Sequence, residues 1–235
     1  MKAITIPHPY AFEILSGRKT IEATEWDSLH RGDILICSAR KPAFSNEEME
    51  EIEDEYGTLF LYGHALCIAR LLDVRPMRDG DEEMALMDEI DPDAYSWVFE
   101  DIRPVVPFPA KGKREFFEVD DSLITVSPFR FNEPVAVKEG TAAREFGVDF
   151  SGWRGRATDI YNDEGEPRIR VAWDSLSLKM IPLPILERCE REGIDWTGAL
   201  LRFSQIESSK SRDTFDDVQE AIEEIIEDNP SIFEA

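Results

Sequence analysis

The sequence predicts a mixed, mainly β protein of two small modules: a β-barrel carrying one or two helices, then a smaller SH3-like barrel with a C-terminal helix. Three observations lead there. Short apolar or alternating runs of strand length recur along the chain, separated by Gly-, Pro- and Asp-rich turns. Few segments space their apolar residues for a helix. At 235 residues, 42% of them hydrophobic, the chain has room and apolar surface for two cores, since domains usually run to about 100–150 residues.

The elements follow in order. Residues 2–6 read as a strand. Pro9 suits the first turn of a helix through Tyr10, Ala11, Ile14 and Leu15, and Gly17 suits its C′ position, where a left-handed backbone is needed. Residues 20–26 alternate, so a strand opening at Thr20 places Thr20, Glu22, Thr24 and Trp26 on one face. After the turn Arg31-Gly32-Asp33, residues 34–39 form a buried strand and 62–74 the central one. Residues 95–99 and 116–119 add two more, around the punctuation Pro107-Phe108-Pro109-Ala110-Lys111-Gly112.

The first module is expected at 1–124 and the second at 129–212, with strands at 134–138, 155–161, 168–173 and 179–181 and a helix at 184–192 stopped by Gly193. Trp153 and Trp173 belong either to its core or to a recognition groove of an SH3-like or Tudor-like barrel. Residues 213–235 form an acidic tail, in which Val218, Ala221, Ile222, Ile225 and Ile226 define an amphipathic helix expected to dock on its own chain.

A net charge of −24 argues against a polyanionic partner until its distribution is read. Seven acids lie within 47–55 and eight within 79–93, both expected as loops or solvent-facing helices. Without them the first module is near neutral, and residues 151–212 balance ten acids with ten bases. No apolar run reaches the roughly 18 residues of a membrane span, so a cytoplasmic protein with no membrane contact is expected. Cys37, Cys67 and Cys189 are read as core thiols, and His8, His30 and His64 lack zinc-ligand spacing. No metal or cofactor is expected.

Lys19 and Glu22 carry the clearest chemistry: a flexible ammonium and a carboxylate near a barrel mouth, or an exposed or half-exposed salt bridge that pins the helix to the strand. Tyr10, Trp26 and Trp97 are candidate stacking surfaces or ordinary core residues, and Trp97, inside an apolar strand, suits the core better. Lys111, Lys113 and Arg114 form a basic cluster that suits a phosphate-contacting loop and a solvated turn equally.

The run from Lys2-Ala3-Ile4-Thr5-Ile6 through His8-Pro9-Tyr10-Ala11 to Ile14-Leu15-Ser16-Gly17-Arg18-Lys19-Thr20-Ile21-Glu22, with Trp26 and Arg31-Gly32-Asp33, resembles the ASCH domain of the PUA-like superfamily. Tyr95-Ser96-Trp97-Val98-Phe99 through Phe116 resembles its end, so the likeness covers about residues 1–122. It implies a PUA-like barrel whose GxKxxE signature, here Gly17, Lys19 and Glu22, borders a cleft for RNA or a modified nucleoside. Some relatives are amidohydrolases acting on acetylated cytidine through a Lys and a Thr. Lys19 matches that Lys, but Glu22 stands where the Thr would be.

The expected function is therefore RNA or nucleotide binding through Tyr10, Arg18, Lys19, Glu22, Trp26, Arg31, Lys111 and Lys113. One alternative is a nucleoside hydrolase with Glu22 as base and Lys19 as oxyanion stabiliser. The other is an adaptor that meets a protein partner through its second barrel or acidic tail.

Overall fold

The computed structural model describes residues 1–143, 148–163 and 165–233, so the tail's final acid, Glu234, lies outside them. The chain divides into two units, Met1–Phe131 and Asn132–Ala235. The mixed, mainly β architecture read from the sequence is the one observed.

The first unit runs β1 (Lys2–Ile6), α1 (Tyr10–Ser16), β2 (Ile21–Thr24), β3 (Gly32–Ser38), α2 (Asn46–Tyr56), β4 (His64–Pro76), α3 (Asp81–Ala85), β5 (Tyr95–Pro109) and β6 (Phe117–Glu118). The strands form one sheet in the order β2-β5-β4-β3-β1-β6. β1 and β3 are parallel, and their neighbours are antiparallel. Period two gives the sheet two apolar faces. Ile4, Ile6, Ile34, Ile36 and Trp97 pack with Ala11 and Ile14 of α1 on one face, while Ala3, Leu35, Ile68, Val105 and Phe117 cluster on the other.

β5 continues ten residues beyond the strand expected at 95–99. Prolines that looked like punctuation are accommodated where the register slips: Ala65 pairs with Phe108 and Cys67 with Pro104, leaving Pro107 in the bulge. Cys37 and Cys67 are buried free thiols. Burial pushes Cys37 up to about 12 and Cys67 higher still, so both are inert at neutral pH.

Of the two acidic runs, the first is the expected solvent-facing helix. Ser45 and Glu48 close a capping box on α2, and Met49 anchors it against Phe12 and Phe60. The second differs from expectation. Asp81 is only 2% exposed: it accepts from Arg75 (2.5 and 2.7 Å), Ser96 Oγ (2.6 Å) and Arg78 N (3.1 Å). That fastens α3 onto Ile21, with Ala85, Met87, Ile90 and Ala94 filling the interface.

The second unit runs β7 (Glu133–Val137), β8 (Ala142–Ala143), β9 (Val148–Asp149), β10 (Arg154–Asp163), β11 (Glu166–Trp173), α4 (Ser175–Leu178), α5 (Leu183–Glu192), β12 (Gly198–Arg202), β13 (Ile206–Ser208), α6 (Phe215–Asp228) and α7 (Pro230–Phe233). Five strands form an antiparallel sheet in the order β12-β11-β10-β7-β13, and β8 pairs with β9. Gly155 lets β10 approach β11, because a Cβ there would overlap the Ala172 carbonyl. Trp153 and Trp173 are buried against Phe150 with ring centroids 4.9–5.1 Å apart, which makes them core rather than groove.

The strand expected at 179–181 is absent: Asp174 accepts from Ser177 N (2.8 Å) and starts α4 instead. α6 is capped reciprocally by Thr214 and Asp217 and packs on α4, as its apolar stripe suggested. Lys179 pairs with Glu224 (2.5 Å) across that contact. Among the described residues no helix is long and apolar enough to cross a membrane.

Candidate functional site

The site forms where α1, β2 and α3 meet. Gly17 ends α1 in the left-handed region (φ 81°) and turns the chain back, so that Lys19 N donates to Glu13 O (2.9 Å) and Thr20 N to Met84 O (3.1 Å). The turn drives the Lys19 side chain inward until the residue is 3% exposed. Its ammonium donates to the Ala85 carbonyl, lies 3.3 Å from Glu22 Oε2, and sits 5.1 Å from the centroid of the Tyr10 ring. Lys19 is thus neither a flexible ammonium at a mouth nor half of a surface salt bridge. It is a buried cation with three fixed neighbours.

Glu22 stands opposite Trp97 and Thr24 opposite Tyr95 in the β2–β5 ladder, so the carboxylate and the indole share a face. The Glu22 side chain is 17% exposed. Its Oε2 is sealed and faces the Lys19 ammonium. Burial pushes the Glu22 carboxyl above its ordinary value, against the opposing pull of Lys19. Burial also raises the Tyr10 phenol, helped by the charges of Glu22 and Asp88. Phe44, 40% exposed, lies 6.1 Å from the Tyr10 ring in a tilted arrangement.

A second group of rings extends from this face. Trp97 is wholly buried and donates from Nε1 to Trp26 O (3.2 Å). Trp26 meets it edge-on at 4.4 Å and Phe116 at 5.3 Å, and Phe116 lies 4.8 Å from Lys2 Nζ. These rings join the end of β2 to the start of β6, the two margins of the sheet.

The structure therefore brings together Tyr10, Lys19 and Glu22, with Trp26 beside them through Trp97. It directs Arg18 elsewhere: the guanidinium donates to both oxygens of Glu13 (2.8 and 2.6 Å) and to the Tyr56 hydroxyl. Arg31 is likewise engaged, with the carbonyls of Ser28, His30 and Val74 and with Asp73. Lys111 and Lys113 are exposed on the β5–β6 loop and touch neither Lys19 nor Glu22. Sequence reasoning missed Phe44, Asp88 and the Ala85 carbonyl. The one available signal was the apolar pair Met84-Ala85 inside an acidic run.

Residues 4–111 match the family model of the ASCH domain. The first unit carries an ASCH domain. Similar solved structures include ASCH from Zymomonas mobilis, at 14% identity over 52% of this chain and 88% of that one, with a TM-score of 0.38. A tyrosine-to-phenylalanine mutant of the same protein gives 15% identity, 53% and 98% coverage and a TM-score of 0.36. No curated protein matches the chain significantly.

Within the ASCH domain, the Lys19 ammonium thus pairs with the partly exposed Glu22 carboxylate and lies over the Tyr10 ring, which Phe44 also meets. Among the described residues no group of three or more His, Cys, Asp or Glu side chains is placed to hold a metal ion.

Proposed function

We propose that the ASCH domain is a cytoplasmic RNA-binding module that holds one nucleotide at Tyr10, Phe44 and Glu22. The observation that carries this reading is the buried Lys19, which pairs with the partly exposed Glu22 carboxylate and lies over the Tyr10 ring, itself next to the exposed Phe44. ASCH domains are associated with RNA binding, and a carboxylate accepts from the N–H groups on a base's Watson–Crick edge. Base stacking on an aromatic contributes about 1–3 kcal/mol.

The test is fluorescence anisotropy with labelled hexaribonucleotides at low salt. Phe44→Ala should weaken binding of an A/C-containing hexamer about 5- to 150-fold, the range that stacking energy implies. Glu22→Gln, which replaces a charged acceptor with a neutral amide, should weaken its binding as well. Absence of binding by the wild type, or indifference to both substitutions, overturns the reading.

The geometry lends the hydrolytic alternative less support, because the Lys19 ammonium faces the Ala85 carbonyl and Glu22 instead of an open oxyanion position. The adaptor alternative is weakened by the docking of α6 on α4. The second unit is best read as an SH3-like barrel at 129–212 followed by a helical tail at 213–235. The return of β13 beside β7, after a 3₁₀ turn at Phe203–Gln205, supports that assignment.

A further inference from the structure

Arg18, Arg31, Arg70, Arg75, Arg103 and Arg130 of the first unit each hold a carboxylate, and Lys19 pairs with Glu22. Among the described residues Lys2 and Arg78 enter no ion pair, nor do the exposed Arg40, Lys41, Lys111, Lys113 and Arg114, although the chain carries 50 acidic residues. The last five lie on two loops that the sequence separates widely and the fold joins.

The joint is Gly63. Its N–H donates to Ala39 O (3.2 Å), and its own carbonyl accepts from Ala110 N (2.8 Å). Arg40 and Lys111 are therefore each one residue from an atom bonded to the same glycine. The Arg40 stem crosses Gly63 so closely that a Cβ there would lie 3.1 Å from its Cγ. On the other loop, Gly112 rests on Thr5, where a Cβ would overlap Thr5 Oγ1, itself sealed and without a partner. Residues 39–44 and 110–114 contain no acid, so one end of the barrel concentrates positive charge on a strongly acidic protein. Phe44 continues the first of these loops and reaches Tyr10.

We infer that this end of the barrel is a binding site for the phosphodiester backbone of single-stranded RNA. Arg40 and Lys41 take the phosphate next to the base held by Tyr10, Phe44 and Glu22, and Lys111, Lys113 and Arg114 take those that follow. The inference rests on the RNA reading above and gives it a direction: the strand runs from the Glu22 site past Phe44 to the Gly63 joint. The local charge pattern explains how a chain of net charge −24 admits a polyanion. Attraction is confined to the loops, and the acids of α2 and the 79–93 segment lie outside them.

Salt dependence separates the backbone path from the base site. Each phosphate neutralised on a single strand contributes about −0.7 to the slope of log K against log salt. The full chain is titrated with a labelled A/C hexaribonucleotide between 25 and 200 mM KCl, alongside Lys111→Ser/Lys113→Ser/Arg114→Ser and Phe44→Ala. The triple variant is expected to flatten the slope by about 2, and Phe44→Ala to lower affinity at every salt concentration without changing the slope. All three mutated cations are exposed and enter no ion pair among the described residues, so circular dichroism should show an unchanged fold. A wild-type slope retained by the triple variant overturns the backbone path and leaves the base site standing. A flattened slope with Phe44→Ala inert supports the path and removes the base site. No wild-type binding at 25 mM overturns both.

Discussion

Replacing Lys19 by Met tests whether the ammonium is structural, because Met keeps an unbranched apolar stem in the same channel. The change deletes the donor to Ala85 O, the cation above Tyr10 and the counter-charge of Glu22. A hydrogen bond from a charged group contributes about 1.5–3 kcal/mol, and a cation–π contact about 0.5–1 kcal/mol. The parts are not additive. One-sided removal of a buried pair costs about 3–5 kcal/mol, and the remaining exposure of Glu22 places the expected loss at the lower end, about 3 kcal/mol. The loss should depend on pH. A carboxyl whose folded pKa is raised binds its proton more tightly in the native state, so stability falls as pH rises from the unfolded value, about 4.3, through the folded one. Removing Lys19 removes the opposing pull and enlarges that effect, so the cost must be greater at pH 7.5 than at about pH 4, below the unfolded value. Native-state hydrogen exchange at the Thr20 amide, bonded to Met84 O, reads the local opening free energy at both pH values. A loss below about 1 kcal/mol, as for a surface pair, or one equal at the two pH values, would refute the reasoning.

Asp81→Asn should destabilise the first unit at neutral pH. Arg75 chiefly, with Ser96 and Arg78 N, holds the Asp81 carboxyl below its ordinary value. Its contribution is therefore present above about pH 3.9 and lost as pH falls below that value. Urea midpoints across pH 3–7 should show the variant and the wild type converging toward acid. Arg18→Ala should leave hexaribonucleotide affinity within about twofold, because its guanidinium serves Glu13 and Tyr56, while thermal melts register a loss of about 1 kcal/mol. Gly155→Ala should cost the second unit about 3 kcal/mol or more, seen as loss of the buried-tryptophan emission of Trp153 and Trp173.

The parts of this protein that were legible in its sequence are those with local causes. The strand at residues 2–6, the short helix ended by Gly17 and the return through β2 all follow from period and capping. Non-local causes were hidden. Nothing beside Asp81 in sequence announces that Arg75 and Ser96 will bury it, so it read as solvated like its exposed acidic neighbours, and nothing announced that Met84 and Ala85 offer their carbonyls to Thr20 and Lys19. Lys19 read as mobile for the same reason, since its partner Ala85 is 66 residues away. Asp174 misled in the opposite sense. A strand-like stretch after it was overruled by a local cap that starts α4. The cluster Lys111, Lys113 and Arg114 was legible, but Arg40 and Lys41 were not joined to it, because Arg40 and Lys111 become neighbours only through the peptide of Gly63.

The two outermost strands of the first sheet, β2 with four residues and β6 with two, have a consequence for the behaviour of this protein in a crowded cell. An exposed strand edge is a template on which another chain can polymerise. Here each template is too short to seed a ladder, and Trp26 and Phe116 occupy the space between the two margins. The same economy that leaves this sheet incomplete protects it from recruiting copies of itself, even where net repulsion between chains is screened by salt.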